Sequence, residues 1–141
     1  GSAGDRYSNI LNKIFTKDYD FKDYDRAANI YWPGNKIGLG REDVISFWWS
    51  LKDILSEIKF KVEHVGYLDE PNKNPRASVR WSLEGIHSGD GEMYGKKTNS
   101  NLYFMGINHA ELNSYGVIRE WVLFDEVAIW KQILMNKNKN G

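Results

Sequence analysis

Four segments in the second half of the chain, residues 58–68, 76–87, 102–112 and 117–127, alternate apolar and polar side chains with the period of two that a β-strand requires. Successive strands joined without a helical crossover pair antiparallel, so this half must form one sheet with an apolar face in need of cover. The turn Asn113-Ser114-Tyr115-Gly116 joins the last two as a hairpin, and the polar, glycine-rich stretch 88–100 reads as a long connection or flap. The first half supplies the cover. Residues 5–16 place Tyr7, Ile10, Leu11, Ile14 and Phe15 on one helical stripe, and residues 41–56 do the same with Val44, Phe47, Trp48, Leu51, Ile54 and Leu55. Gly40 is the expected N-cap of the second helix, and Glu42 and Asp43 sit in its first turn, where the helix dipole favours acids. Between the helices, residues 27–32 look extended and end in a Pro33-Gly34 turn. Helices first and antiparallel strands afterwards define an α+β domain over residues 5–135, followed by a lysine-asparagine tail, 136–141, expected to be disordered.

At 141 residues the chain fits one domain and buries roughly 70% of the surface its unfolded form exposes. Its 19 basic and 19 acidic residues cancel, which argues against nucleic acid or an anionic membrane as partner. The chain has no cysteine, so disulfides, thiolate metal sites and a cysteine nucleophile are excluded. No apolar run approaches the ~20 residues of a membrane-spanning helix, and no signal peptide opens the sequence. Cytoplasmic localisation is the expectation from these features, although the sequence starts Gly1-Ser2-Ala3-Gly4 without a methionine, so a removed targeting segment stays open. Six tryptophans and 14% aromatic residues require that several rings line something, either a thick core or a pocket wall.

The strand faces bring titratable groups into view. One face of 78–87 carries Val79, Trp81, Leu83 and His87; one face of 102–112 carries Tyr103, Met105, Ile107, His109 and Glu111; and one face of 117–127 carries Val117, Trp121, Leu123, Asp125 and Val127, with Arg119 as the outlier. If these faces meet, they enclose an aromatic cavity with a few polar groups at one end, the description of a small-molecule pocket. Trp48 and Trp49 point about 100° apart, so one packs under the sheet and the other faces a partner or the cavity mouth.

The strings Arg80-Trp81-Ser82-Leu83-Glu84-Gly85-Ile86-His87-Ser88-Gly89, Tyr94-Gly95, Gly106-Ile107-Asn108-His109-Ala110-Glu111 and Gly116-Val117-Ile118-Arg119-Glu120-Trp121, with Asp125, Gln132 and the Gly40-Arg41-Glu42-Asp43-Val44 entry to the aromatic helix, resemble the SnoaL-like polyketide cyclase family of the nuclear transport factor 2-like superfamily. The resemblance spans about residues 24–134. It implies a cystatin-like fold, a curved antiparallel sheet forming a cone-shaped half-barrel packed on N-terminal helices, with the cavity open at one end. It also implies homodimers paired through the outer sheet face. Relatives include cyclases, ketosteroid isomerase, dehydratases and epoxide hydrolases, so the fold leaves the function open. Where many relatives read Gly-x-Pro-Thr-Gly, this chain reads Gly95-Lys96-Lys97-Thr98-Asn99; losing the proline and the second glycine changes the stiffness of that loop, so the resemblance does not by itself imply a ligand contact there.

By the resemblance, Asp125 matches the acid/base aspartate of the cyclases, and desolvation at the end of an apolar strand would raise its pKa toward the range useful for proton transfer. Its plainer roles are pairing with Arg119 or Arg80, or capping the following segment. His109 would polarise a ligand carbonyl or share a proton with Asp125, or be a satisfied core histidine. Trp81, His87, Tyr103, Met105, Glu111 and Trp121 are the expected pocket residues, with a plain aromatic core as the alternative. No metal and no cofactor is expected: the histidines and carboxylates show no tight ligand spacing, and neither a phosphate-binding glycine loop nor a Gly-x-Ser-x-Gly elbow is present. The first reading is therefore a pocket protein performing cofactor-free acid/base chemistry of cyclase, isomerase or hydrolase type on a small, largely apolar molecule. The second is a non-catalytic ligand-binding or dimerisation module. A third, a protein-interaction role like that of the transport factor, needs an exposed apolar patch, for which Trp49 is the candidate.

Overall fold

The computed structural model describes residues 2–16 and 18–140. In chain order the elements are α1 (Ala3–Thr16), β1 (Tyr24–Trp32), β2 (Lys36–Leu39), α2 (Arg41–Lys52), β3 (Leu55–Leu68), β4 (Arg76–His87), β5 (Asn101–Asn113), β6 (Gly116–Phe124) and α3 (Glu126–Asn140). The six strands form one sheet in the order β2-β1-β6-β5-β4-β3. All neighbours run antiparallel except β1 and β6, which are parallel, so the sheet is mixed where an antiparallel one was expected. The reason is topological: β1 reaches β6 across the whole domain, and no hairpin constrains its direction.

The inner face of the sheet is covered by α1 and α2. All five apolar residues of the α1 stripe, Tyr7, Ile10, Leu11, Ile14 and Phe15, are buried. In α2 the buried residues are Val44, Trp48 and Leu51, and Gly40 is the N-cap with φ of 90°. Trp48 is inside and Trp49 is 45% exposed, the split their adjacency requires. The helix stops at Lys52, earlier than its apolar spacing predicts, and the chain enters β3 at Leu55. Glu57 takes a left-handed φ of 51° there, and the β3–β4 register slips between Ser56 and Lys59. The hairpin before β6 is as expected: Tyr115 N–H donates to Asn113 Oδ1 at 2.8 Å, and Gly116 has φ of 125°. A Cβ at Gly116 would stand 1.9 Å from the Asp23 carbonyl oxygen, which accepts from Val117 N–H, so only glycine fits.

At the C-terminus the structure departs from the sequence reading. The strand expected to reach residue 127 ends at Phe124, and a helix follows. Ile129 and Ile133 bury one side of α3, and Gln132 clasps the β5 edge: Tyr103 N–H donates to Gln132 Oε1 and Gln132 Nε2 donates to the Tyr103 carbonyl, both at 2.8 Å. Of the tail expected to be disordered, residues 136–140 continue α3, and Gly141 lies outside the described residues. Among the described residues no helix is long and apolar enough to cross a membrane.

Candidate functional site

The core is built around Trp81. On the strand opposite, Gly106 is glycine because the indole lies against it: a Cβ there would be 2.1 Å from Trp81 Cζ2. One pleat further on, Asn108 accepts the indole N–H at 2.9 Å through Oδ1. The side chains that β5 turns inward are thus Leu102, Phe104, Asn108, Ala110 and Leu112, and β6 turns in Glu120, Val122 and Phe124. Phe15, Trp32, Trp48, Phe60, Trp81, Phe104 and Phe124 touch in a continuous ring cluster, with centroids 4.6–6.5 Å apart, that occupies the space between sheet and helices.

Inside this cluster sits a polar group that ties five elements together. Glu120 of β6 is fully buried. Its Oε2 accepts from the hydroxyls of Tyr7 (α1, 2.5 Å) and Tyr24 (β1, 2.7 Å), and its Oε1 from the Trp48 indole (α2, 3.0 Å). Asn108 of β5 donates to the Tyr7 hydroxyl at 2.9 Å and so links the carboxyl to Trp81. Burial pushes the Glu120 pKa up against the lowering effect of its three hydrogen bonds, and burial together with the Glu120 charge pushes the two tyrosines up as well. None of these five residues was singled out by sequence as a site. The available signal was the pair Asn108 and Glu120, each with small or apolar residues two positions away on both sides.

The expected site residues divide between two places. Trp81 and His87 are inside. His87 anchors the 88–100 connection: its backbone N–H donates to Ser100 O, Asn99 N–H donates to its carbonyl, and Nδ1 meets Thr98 Oγ1 at 3.2 Å. Burial lowers its pKa. Asn99 stands with a left-handed φ of 55°. The connection folds inward, and Tyr94 is buried between Phe104 and Trp130 of α3. Among the described residues Trp32 Nε1, His87 Nε2 and the Tyr94 hydroxyl are buried without a hydrogen-bond partner.

The other six, Tyr103, Met105, His109, Glu111, Trp121 and Asp125, do not line the interior. Tyr103, Met105, His109 and Trp121 belong to the outer face of the sheet, because β5 and β6 turn the faces read as cavity walls toward solvent; Glu111 is on that face but buried in its ion pair, and Asp125 lies past the end of β6. The pairing registers arrange that face in rows: Arg76–Glu111–Arg119, then Ser78–His109–Trp121–Tyr31, then Arg80–Ile107–Leu123, then Ser82–Met105. Glu111 takes Arg119 Nη1 at 3.1 and 3.2 Å and Asn74 Nδ2 at 3.2 Å. Tyr31 and Trp121 stack with centroids 5.6 Å apart. Asp125 lies four residues beyond Trp121, the cross-strand partner of His109, which separates the expected catalytic pair by roughly 13 Å along the strand. Asp125 instead caps α3, its Oδ1 accepting from Ala128 N–H at 3.2 Å. Asp125→Ala should therefore cost about 1 kcal/mol of stability in a urea titration, the loss of one N-cap.

The outer face holds two adjoining depressions that share Ile107 and Leu123: one of about 580 Å³ running from Arg76 past His109 and Trp121 to the Pro33–Asn35 turn, and one of about 410 Å³ floored by Met105, Gly106 and Asp125. Among the described residues no three potential metal ligands cluster.

With three helices against an open six-stranded sheet, the chain has an α+β fold like that of solved SnoaL-like polyketide cyclases. No family model and no curated protein matches its sequence. Among solved structures it is similar to a proposed SnoaL-like polyketide cyclase from Jannaschia sp. CCS1 (TM-score 0.70, 16% identity, 92% of this chain and 95% of that one). It is similar also to IdmH, a proposed polyketide cyclase from Streptomyces antibioticus (TM-score 0.72, 14% identity, 92% and 96%). A third is an LEH-like epoxide hydrolase of M. tuberculosis (TM-score 0.68, 13% identity, 95% and 90%). At these identities the likeness is one of fold.

Proposed function

We propose that this chain is a non-catalytic binding module that works through the outer face of its sheet, and that two copies pair through that face. The observation that carries this reading is the distribution of large apolar side chains. Met105 is 61% and Leu123 66% exposed, with Tyr103, Ile107 and Trp121 beside them on β5 and β6, while every hydrogen-bonding atom of the Glu120 carboxyl inside is already partnered. A contiguous apolar patch on a folded domain marks a contact surface. A face whose apolar centre is rimmed by Arg80, Arg119 and Glu84 carries both signs of charge and is suited to a two-fold copy of itself. Sedimentation equilibrium should give twice the chain mass, and Leu123→Lys, an exposed position that leaves the fold intact, should give the single chain. A monomeric parent protein at about 100 μM, well above the Kd of a specific dimer, would refute the pairing.

A second reading is favoured by a separate observation. The raised pKa of Glu120, beside a tyrosine hydroxyl, fits a cofactor-free acid/base group with Glu120 in the role expected of Asp125. The unpartnered Trp32, His87 and Tyr94 atoms fit a small, largely apolar ligand admitted where α3 and the 88–100 connection now close. Under that reading a ligand raises the melting temperature of the parent protein and not of Tyr94→Phe; under the first, ligands of the interior have no effect.

A further inference from the structure

We propose that the larger outer depression is a binding site for a planar aromatic carboxylate. The proposal deepens the outer-face reading by naming a small ligand that the single chain takes up on the face a second copy would otherwise cover, so ligand and pairing compete, and it starts from charge. Among the described residues the depression is lined by Arg76 and His109 and by no acidic side chain. Among the described residues the Arg76 guanidinium makes no ion pair or hydrogen bond: its cross-strand neighbour Glu111 is held by Arg119 and Asn74, and nearby Glu70 pairs with Lys73 at 3.0 Å. Neither ring nitrogen of His109 has a partner among the described residues. A guanidinium that stands outside any ion pair at the end of an apolar trough has N–H donors free for the two-pronged geometry that a carboxylate accepts.

The rest of the trough supplies the aromatic half. Trp121 and Tyr31 stack with their planes 8° apart, and Trp121 is the cross-strand neighbour of His109, so an aromatic surface stands beside the imidazole. Ile107 and Leu123 add aliphatic side chains to the lining. A volume of about 580 Å³ suits a one- or two-ring molecule. One guanidinium among largely apolar side chains matches a monoanion better than a phosphate dianion, whose second charge would face no second guanidinium or ammonium in the depression.

The test uses 2-naphthoate as probe, followed by isothermal titration calorimetry and by the Trp121 indole N–H resonance, assigned with Trp121→Phe. Saturable binding with Kd below roughly 1 mM is expected, with a shifted Trp121 signal. Arg76→Ala and the neutral isostere 2-naphthamide should each weaken binding by about tenfold or more. No saturation, binding unchanged in Arg76→Ala, or equal affinity for the amide would each overturn the site. The pairing is read separately by sedimentation: a monomer that binds naphthoate keeps the site and removes the dimer, and a dimer that ignores naphthoate does the reverse.

Discussion

Replacing Glu120 with alanine should destabilise the domain by on the order of 3–5 kcal/mol in urea unfolding, the largest single effect expected anywhere in the chain. The substitution strands three buried donors, the hydroxyls of Tyr7 and Tyr24 and the indole N–H of Trp48, and it unties α1, α2 and β1 from β6 at once. Glu120→Gln keeps one acceptor and should lose less. Its pH dependence carries the mechanism. Because burial raises the folded-state pKa of Glu120, the folded protein holds this proton more tightly than the unfolded chain. The contribution is complete below the unfolded pKa of about 4.3 and is lost as pH rises through the folded value. The stability gap between the parent protein and Glu120→Gln should therefore narrow as pH rises from about 4 through the raised folded value. A gap that stays constant or widens would mean that the carboxyl is held ionised, and the raised pKa would be wrong.

Gly106→Ala should be nearly as damaging, about 3 kcal/mol, although it adds one methyl group to a strand. The methyl would fall 2.1 to 2.7 Å from three atoms of the Trp81 indole, which has Phe15, Phe60 and Phe124 around it and no room to withdraw. Moving the ring also breaks its bond to Asn108. Trp81→Phe in the Gly106→Ala background supplies the check: a smaller ring should recover part of the loss if the clash is the cause, and an additive effect would show that it is not.

The same pair of residues explains what the sequence could and could not reveal. The amphipathic stripe of α1 is a local property, and all five residues read from it are buried as expected. Five of the six strands were equally legible, the exception being β2 in a stretch that reads as a loop, and so was the burial of Trp81 and His87 in β4. In β5 and β6 the alternation was correct and the choice of face was not. A period of two says that a strand has two faces; it names the inner one only when the other is polar. Here both faces carry large apolar residues, and the inner face of β5 looks the weaker because Gly106 and Asn108 make room for an indole that comes from another strand. That information is non-local, so Tyr103, Met105 and His109 were read as a cavity wall when they form an exposed surface. Glu120 was lost to the same inversion. Asp125 was misassigned for a different reason: β6 gives way to α3 at the very residue that looked like the end of a strand face, and a carboxylate there is an N-cap.

Hydroxyl-radical footprinting with mass spectrometry, run over a concentration series, tests most directly the claim that the interior is a closed core and the outer face the working surface. Trp48 and Trp81 should stay unmodified at every concentration, whereas Met105 and Trp121 should be oxidised in dilute protein and become protected as it is concentrated. Oxidation of Trp81 in the folded protein would reveal an open interior chamber, and unchanging oxidation of Met105 would show that nothing covers the outer face; either result contradicts the account.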